Sequence, residues 1–407
     1  MVFKRKALAI ALAAGVAGWV APAAAAQGEA PAPIKISREA SKAVMDLQTA
    51  VKAGDYASLP GKVAAANAAA KTADDRFAIA RLQYEAAVAQ KDEAAKAAAV
   101  DAMLATGRAP AELANALRVD QASRRLAAKD YAGVSSVADQ LLASDPNNVD
   151  AMMLKAESLI GLGRAADGVA LMQKAIAAQA ASGKAVPKDW NKRLVGLAYN
   201  NKLPVAGELA LAWVKTDPTP TNWRDAITIY QTTANVDEAN QIDLYRLQRA
   251  AGALNSEADY YRYANAAATK GFPGEAKAVM EEGFASGKLQ RNKAGIRELY
   301  ASVSGKTAAD RASLAASERT ALSGSAARPA LVTGDAYLGY GDYAKAAALY
   351  RAALGKSGVD KDLANLRLGI ALARSGDKAG ATAALNAVGG TSAPVAKLWL
   401  AWIGTQG

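Results

Sequence analysis

The sequence predicts an all-α chain, an α-solenoid superhelix of about ten helix-turn-helix hairpins. Three observations predict it. Alanine dominates a chain that is 52% hydrophobic but only 6% aromatic, and Ala is the best helix former whereas β-branched and aromatic residues favour strands. Apolar residues recur at helical spacing over most of the 407 positions. A pattern of small residues and turn residues returns every 34 to 38 positions.

The segment 1–26 reads as a Sec-type signal peptide. Lys4, Arg5 and Lys6 form its basic start, an apolar run covers 7–20, Pro22 breaks the run, and Ala24 and Ala26 give the small-x-small cleavage pattern. The run is short against the roughly 20 residues of a helical membrane span, which favours cleavage over a retained anchor. The mature chain is expected to start at Gln27, in the bacterial periplasm or outside the cell. Cleavage removes three basic residues and no acidic one, lowering the formal charge from +11 to +8. Residues 27–40, with Gly28, Pro31 and Pro33, read as a flexible leader.

The repeats are expected over 41–300. Asp-Tyr-Ala occurs at Asp55-Tyr56-Ala57, Asp130-Tyr131-Ala132 and Asp342-Tyr343-Ala344, each time between two helix-period stretches. Around it lies a template: a small or apolar residue, a turn residue seven later, then small or apolar residues twelve, sixteen and nineteen later. Ala156, Gly163, Gly168, Met172 and Ala175 fit it, as do Ala264, Gly271, Ala276, Met280 and Gly283. Gly334, Gly341, Ala346, Tyr350 and Ala353 follow, and then Gly369, Gly376, Ala381, Leu385 and Val388. Looser copies start at Leu47, Ala122 and Leu194. From Leu47 to Ala122, Leu194 to Ala264 and Ala264 to Gly334 the starts stand two periods apart, and each of these gaps is expected to hold two units. Small residues let two helices approach closely, and neighbouring hairpins must stack to bury their apolar faces.

Residues 301–328 are Ala-rich and bracketed by Ser/Gly stretches at 302–305 and 323–325, which reads as a hinge or an irregular unit. A C-terminal pair of repeats follows over 329–390. The last segment, 391–407, reads as a capping helix, with a docking surface as the alternative use of Trp399 and Trp402.

The chain has no histidine and no cysteine. Ser-His-Asp and Cys-His triads, His/Cys zinc sites, His-ligated haem and disulfides are therefore excluded. Gly161-Leu162-Gly163 and Gly339-Tyr340-Gly341 mimic dinucleotide loops but follow helices, so they read as inter-helix turns. Ser375 and Lys378 have Ser-x-x-Lys spacing but span a turn. Asp74-Asp75 and Glu281-Glu282 point about 100° apart on a helix and read as solvated faces. The apolar turn at Phe272 reads as packing on a neighbouring unit. No enzyme activity, cofactor, metal or nucleic-acid partner is expected.

These residues resemble the tetratricopeptide repeat family. Pro146 and Pro218 stand at its closing proline, Trp190 and Trp223 at its early aromatic, and Gly334, Tyr337, Tyr343, Ala346, Tyr350 and Ala353 make the fullest match. The likeness is good over 120–180 and 330–390 and weakest over 72–115 and 286–328. It implies a right-handed superhelix whose concave face, lined by first helices, holds extended peptides. Carried over by position, that face takes in Lys188, Asn191, Tyr199, Arg224, Thr228, Gln231, Tyr261 and Asn265. Amides suit a peptide backbone, tyrosines give flat contact area, and Lys188 with Arg224 suit a carboxylate. The inner face reads as blander elsewhere, with Met153, Glu157 and Ile160 in one unit and Leu366 and Ile370 in another. The implied role is a non-catalytic scaffold that binds partner proteins or peptides in envelope assembly. The basic charge motivates an alternative, a module for an anionic envelope polysaccharide in export or wall synthesis.

Overall fold

Twenty α-helices account for nearly all regular structure in the computed structural model, which describes residues 33–406 other than Asn235 and Asp237. The expected signal segment and the first part of the leader lie outside the described residues. Among those described, no helix is long and apolar enough to cross a membrane. The chain divides into two units after Ala175.

The first unit holds α1 (Arg38–Ala53), α2 (Leu59–Ala69), α3 (Ala73–Gln90), α4 (Glu93–Ala105), α5 (Ala111–Ala127), α6 (Tyr131–Ser144), α7 (Val149–Gly161) and the start of α8 (Ala165–Ala181). Several helices begin where a polar side chain can take up free N–H groups. Asp92 and Asp130 accept from the first turns of α4 and α6, and Asn148 from that of α7. The repeated Asp-Tyr-Ala is thus a start signal for a second helix, since Asp130 and Asp342 both stand at N-caps.

Small residues fix the crossings. A Cβ on Gly168 would lie 2.5 Å from Ile160 Cγ1 and 2.7 Å from the Ala156 carbonyl, so α8 can close on α7 only with glycine there. Ala156, Met172 and Ala175 of the same template copy are all buried. A Cβ on Gly369 would likewise lie 2.5 Å from Leu385 Cγ.

Two expectations in this unit are corrected. The leader ends early: the Lys35 N–H donates to Asp74 Oδ2 at 2.9 Å, the Ser37 N–H donates to Asp75 Oδ1 at 2.7 Å, and α1 begins at Arg38. The Asp74-Asp75 pair is not a solvated face, for Asp75 is wholly buried. Its carboxylate also accepts from Ser37 Oγ at 2.8 Å and from the Lys71 and Thr72 N–H groups at 2.9 Å each. Burial alone would raise its pKa, but these donors hold it far below the usual carboxylate range. Such a group stabilises the fold above the unfolded-state carboxyl pKa, and the contribution is lost as pH falls through the lower folded value. Asp75→Ala should therefore cost about 2–3 kcal/mol at neutral pH by orphaning these donors. In thermal melts, its deficit relative to the wild type should narrow as pH drops below about 4.

The second unit continues with α9 (Lys188–Asn200), α10 (Ala206–Thr216), α11 (Pro220–Thr233), α12 (Gln241–Ala250), α13 (Glu257–Thr269), α14 (Pro273–Ala285), α15 (Ile296–Ser323), α16 (Ala327–Gly339), α17 (Tyr343–Leu354), α18 (Lys361–Ser375), α19 (Lys378–Asn386) and α20 (Ala393–Thr405). Consecutive helices pack as hairpins, and the first helices of successive hairpins start about one repeat period apart, except between Glu257 and Ala327. The sequence leads one to expect two hairpins in the double gap there. It holds α13 and α14 and then α15, a single helix of 28 residues. The Ser302–Gly305 stretch does not break it, because the surrounding sequence is rich in helix formers and lacks a cap or proline. Among the described residues there are thus nine hairpins, with α15 and α20 as single helices.

Helix α20 has more neighbours than a terminal cap needs. It packs on α19, α18, α12 and α10. Trp399 is fully buried and Trp402 nearly so, their rings edge-to-face at 5.4 Å. The Trp399 Nε1–H donates to the Asp243 carbonyl at 3.1 Å, and Lys397 pairs with Glu208 at 3.1 Å. The docking surface of the two tryptophans is this chain's own. The second unit therefore closes on itself, with its last helix seated against α10 and α12, the second helices of its first two hairpins.

Candidate functional site

The polar stripe expected on the second unit falls on α9, α11 and α13. One flank of each helix is sunk in the core: Leu194, Val195 and Ala198 on α9, Trp223, Ala226 and Ile227 on α11, and Tyr263, Ala264 and Ala267 on α13. The other flank carries the predicted residues. Lys188 is exposed and its Nζ donates to Asp217 Oδ1 at 3.1 Å. That ammonium, ahead of the Asn222 amide, holds the Asp217 carboxyl below its ordinary pKa. Arg224 pairs with Asp259 at 3.2 Å, joining α11 to α13. Burial would raise the Asp259 pKa, but Ser256, Asn255 and Arg224 hold it low. Thr228 Oγ1 donates to the Arg224 carbonyl at 2.9 Å, and Gln231 Nε2 donates to Gln241 Oε1 at 2.6 Å.

The two cations expected to hold a carboxylate thus each hold one from their own chain. Arg224 and Thr228 are brought together one helical turn apart, while Lys188 and Gln231 bond to residues outside the set. Asn191 and Tyr261 are half-buried, and Tyr261 packs against the core cluster of α13 and α14. Tyr199 and Asn265 are exposed, Tyr199 by 36%.

The other motifs behave as turns. Gly163 and Gly341 both stand at φ +79° between helices. Ser375 Oγ donates to the Leu372 carbonyl at 2.9 Å. Phe272 is buried beneath Arg246 of α12, the guanidinium carbon 5.8 Å from the ring centre, and so packs on the neighbouring hairpin. Glu281 and Glu282 remain exposed, engaged by Tyr300 and Arg249.

Reading the sequence missed a buried ionic network. Arg246 donates through Nε and Nη2 to both Glu275 oxygens, at 2.8 Å each, and through Nη1 to Asp243 Oδ1 at 2.8 Å. Arg367 donates to Asp335 Oδ2 at 2.6 Å and to Asp243 Oδ2 at 3.4 Å. The Tyr263 hydroxyl donates to Glu275 at 2.6 Å, and that of Tyr350 to Asp335 at 2.7 Å. All five charged groups are under 9% exposed. Burial raises the Asp335 pKa against the pull of Arg367 and Arg246, and it drives the two tyrosines well above their ordinary range.

The network joins α12, α14, α16 and α18, and α13 and α17 add the tyrosines. One signal for it was present. Asp335 is an acidic residue directly after Gly334, a crossing residue of the repeat template. The inner-face residues Leu366 and Ile370 of α18 are fully buried rather than open to a groove, because the closed unit fills that face with its own side chains.

No protein-family profile matches the chain, and no curated protein does. Among solved structures it is similar to one of Naa15/Naa10 bound to HypK-THB, at 13% identity and a TM-score of 0.33 over 85% of this chain and 57% of that one. It is also similar to the crystal structure of the APC/C hetero-tetramer Cut9-Hcn1, at 12% identity and a TM-score of 0.22 over 88% and 66%. The chain thus spans less than two thirds of either, and likenesses this distant carry no argument about function.

Proposed function

We propose that this protein is a non-catalytic helical-repeat scaffold that binds a partner protein or extended peptide, exported to the periplasm and working in cell-envelope assembly. The observation that carries the reading is how α9 and α13 divide their faces. One flank of each is committed to packing, while Tyr199 and Asn265 stand outward on the other. A tyrosine ring gives area at low entropic cost, and an amide can pair with a peptide backbone. The export and envelope parts rest on the N-terminal segment of the sequence. The anionic-polymer alternative loses ground in the stripe, since Lys188 and Arg224 are already neutralised.

Capture from envelope extract by the mature protein, compared with Tyr199→Ala plus Asn265→Ala, tests the reading. The double variant should lose at least one partner while keeping its melting temperature, and binding should survive a rise to about 0.5 M salt. Full retention of every partner would remove the stripe as the site. Loss of wild-type binding with salt would favour the polymer.

A further inference from the structure

We infer that α20 is a clasp, and that its seating is coupled all-or-none to the buried ionic network of the second unit. Two sets of contacts meet at α12. On one side, α20 and the turn before it hold the helix from outside. Trp399 donates to the Asp243 carbonyl, Ser392 Oγ lies 3.2 Å from Asn240 Oδ1, and Asn240 Nδ2 donates to the Thr391 carbonyl at 3.3 Å. On the other side, the Asp243 carboxylate binds Arg246 and Arg367, and so ties α12 to α18, far along the chain. One residue, Asp243, is thus held by its carbonyl to the clasp and by its carboxylate to the network.

The energetics make the coupling steep. Ion pairs in water are worth little, whereas a buried pair stripped of one partner leaves a charge that cannot be accommodated. The network is stable only dry and complete. Val395, Leu398 and Trp399 are fully buried where α20 seats, so unseating the helix lets water reach α12 and α18 together. The hinge is at hand: α20 follows Gly389 and Gly390, the latter at φ +53°, with the Gly389 N–H anchored by the Asp362 carboxylate at 2.7 Å.

Native-state hydrogen exchange of the full chain at rising sub-denaturing urea tests this. Amides of α12, α18 and α20 should converge on one opening reaction with a common urea dependence, separate from the helices of the first unit. In full-length Trp402→Ala, which trims the clasp at its edge, protection should fall by at least about tenfold and by the same factor in all three helices. A fall confined to α20, with α12 unchanged, would overturn the coupling. So would distinct urea dependences in the wild type, which hold whether or not the variant folds.

Discussion

Arg246→Ala is expected to lower the stability of the second unit by about 3–5 kcal/mol, because it strands two buried carboxylates at once. Glu275 loses both arms of a fork and Asp243 loses its shorter ion pair. The remaining cation, Arg367, already serves Asp335 and Asp243. Arg246→Lys should fall between wild type and alanine, since an ammonium keeps the charge but not the planar fork. Urea denaturation followed by near-ultraviolet dichroism reads the change through the buried tyrosines and tryptophans. An effect below about 1 kcal/mol would place Arg246 in water rather than in a dry network.

The second large effect is expected at Trp399. Trp399→Ala should cost about 3–5 kcal/mol, combining lost burial with the cavity left behind. It also leaves the Asp243 carbonyl without the indole donor. Trp402 is 8% exposed and lies at the edge of the seat, so Trp402→Ala should cost less than half as much.

The periodic parts of this fold were legible in the sequence for a physical reason. Close crossings demand small residues at fixed offsets, so Ala156 with Gly168 and Gly369 with Leu385 announce themselves. Turn residues such as Gly163 and Gly341 add the punctuation. The long α15 was not legible, because a gap of two repeat periods fits two hairpins as well as one hairpin and a long helix. Closure of the second unit was not legible either. It depends on contacts between segments far apart in the chain, such as Asn240 with Ser392 and Asp243 with Trp399, and no local pattern encodes them. The stripe, carried over by position from the family likeness, falls on α9, α11 and α13. What position along the chain omits is who else is near: Asp217, just past the end of α10, reaches Lys188, and Asp259 of α13 reaches Arg224.

Closure is the claim on which the filled inner face, the dry network and the clasp all rest. The most direct measurement is zero-length carbodiimide cross-linking of the native chain, read by mass spectrometry. Lys397 Nζ and Glu208 Oε1 lie 3.1 Å apart on exposed side chains, although 189 residues separate them in sequence. Lys293 and Glu257, 2.6 Å apart within neighbouring elements, give an internal standard for reactivity. A closed second unit predicts an intramolecular Lys397–Glu208 amide at a yield comparable to Lys293–Glu257. The standard cross-link forming without the Lys397–Glu208 product would contradict it, and would mean that the last helix is not seated on α10 in solution.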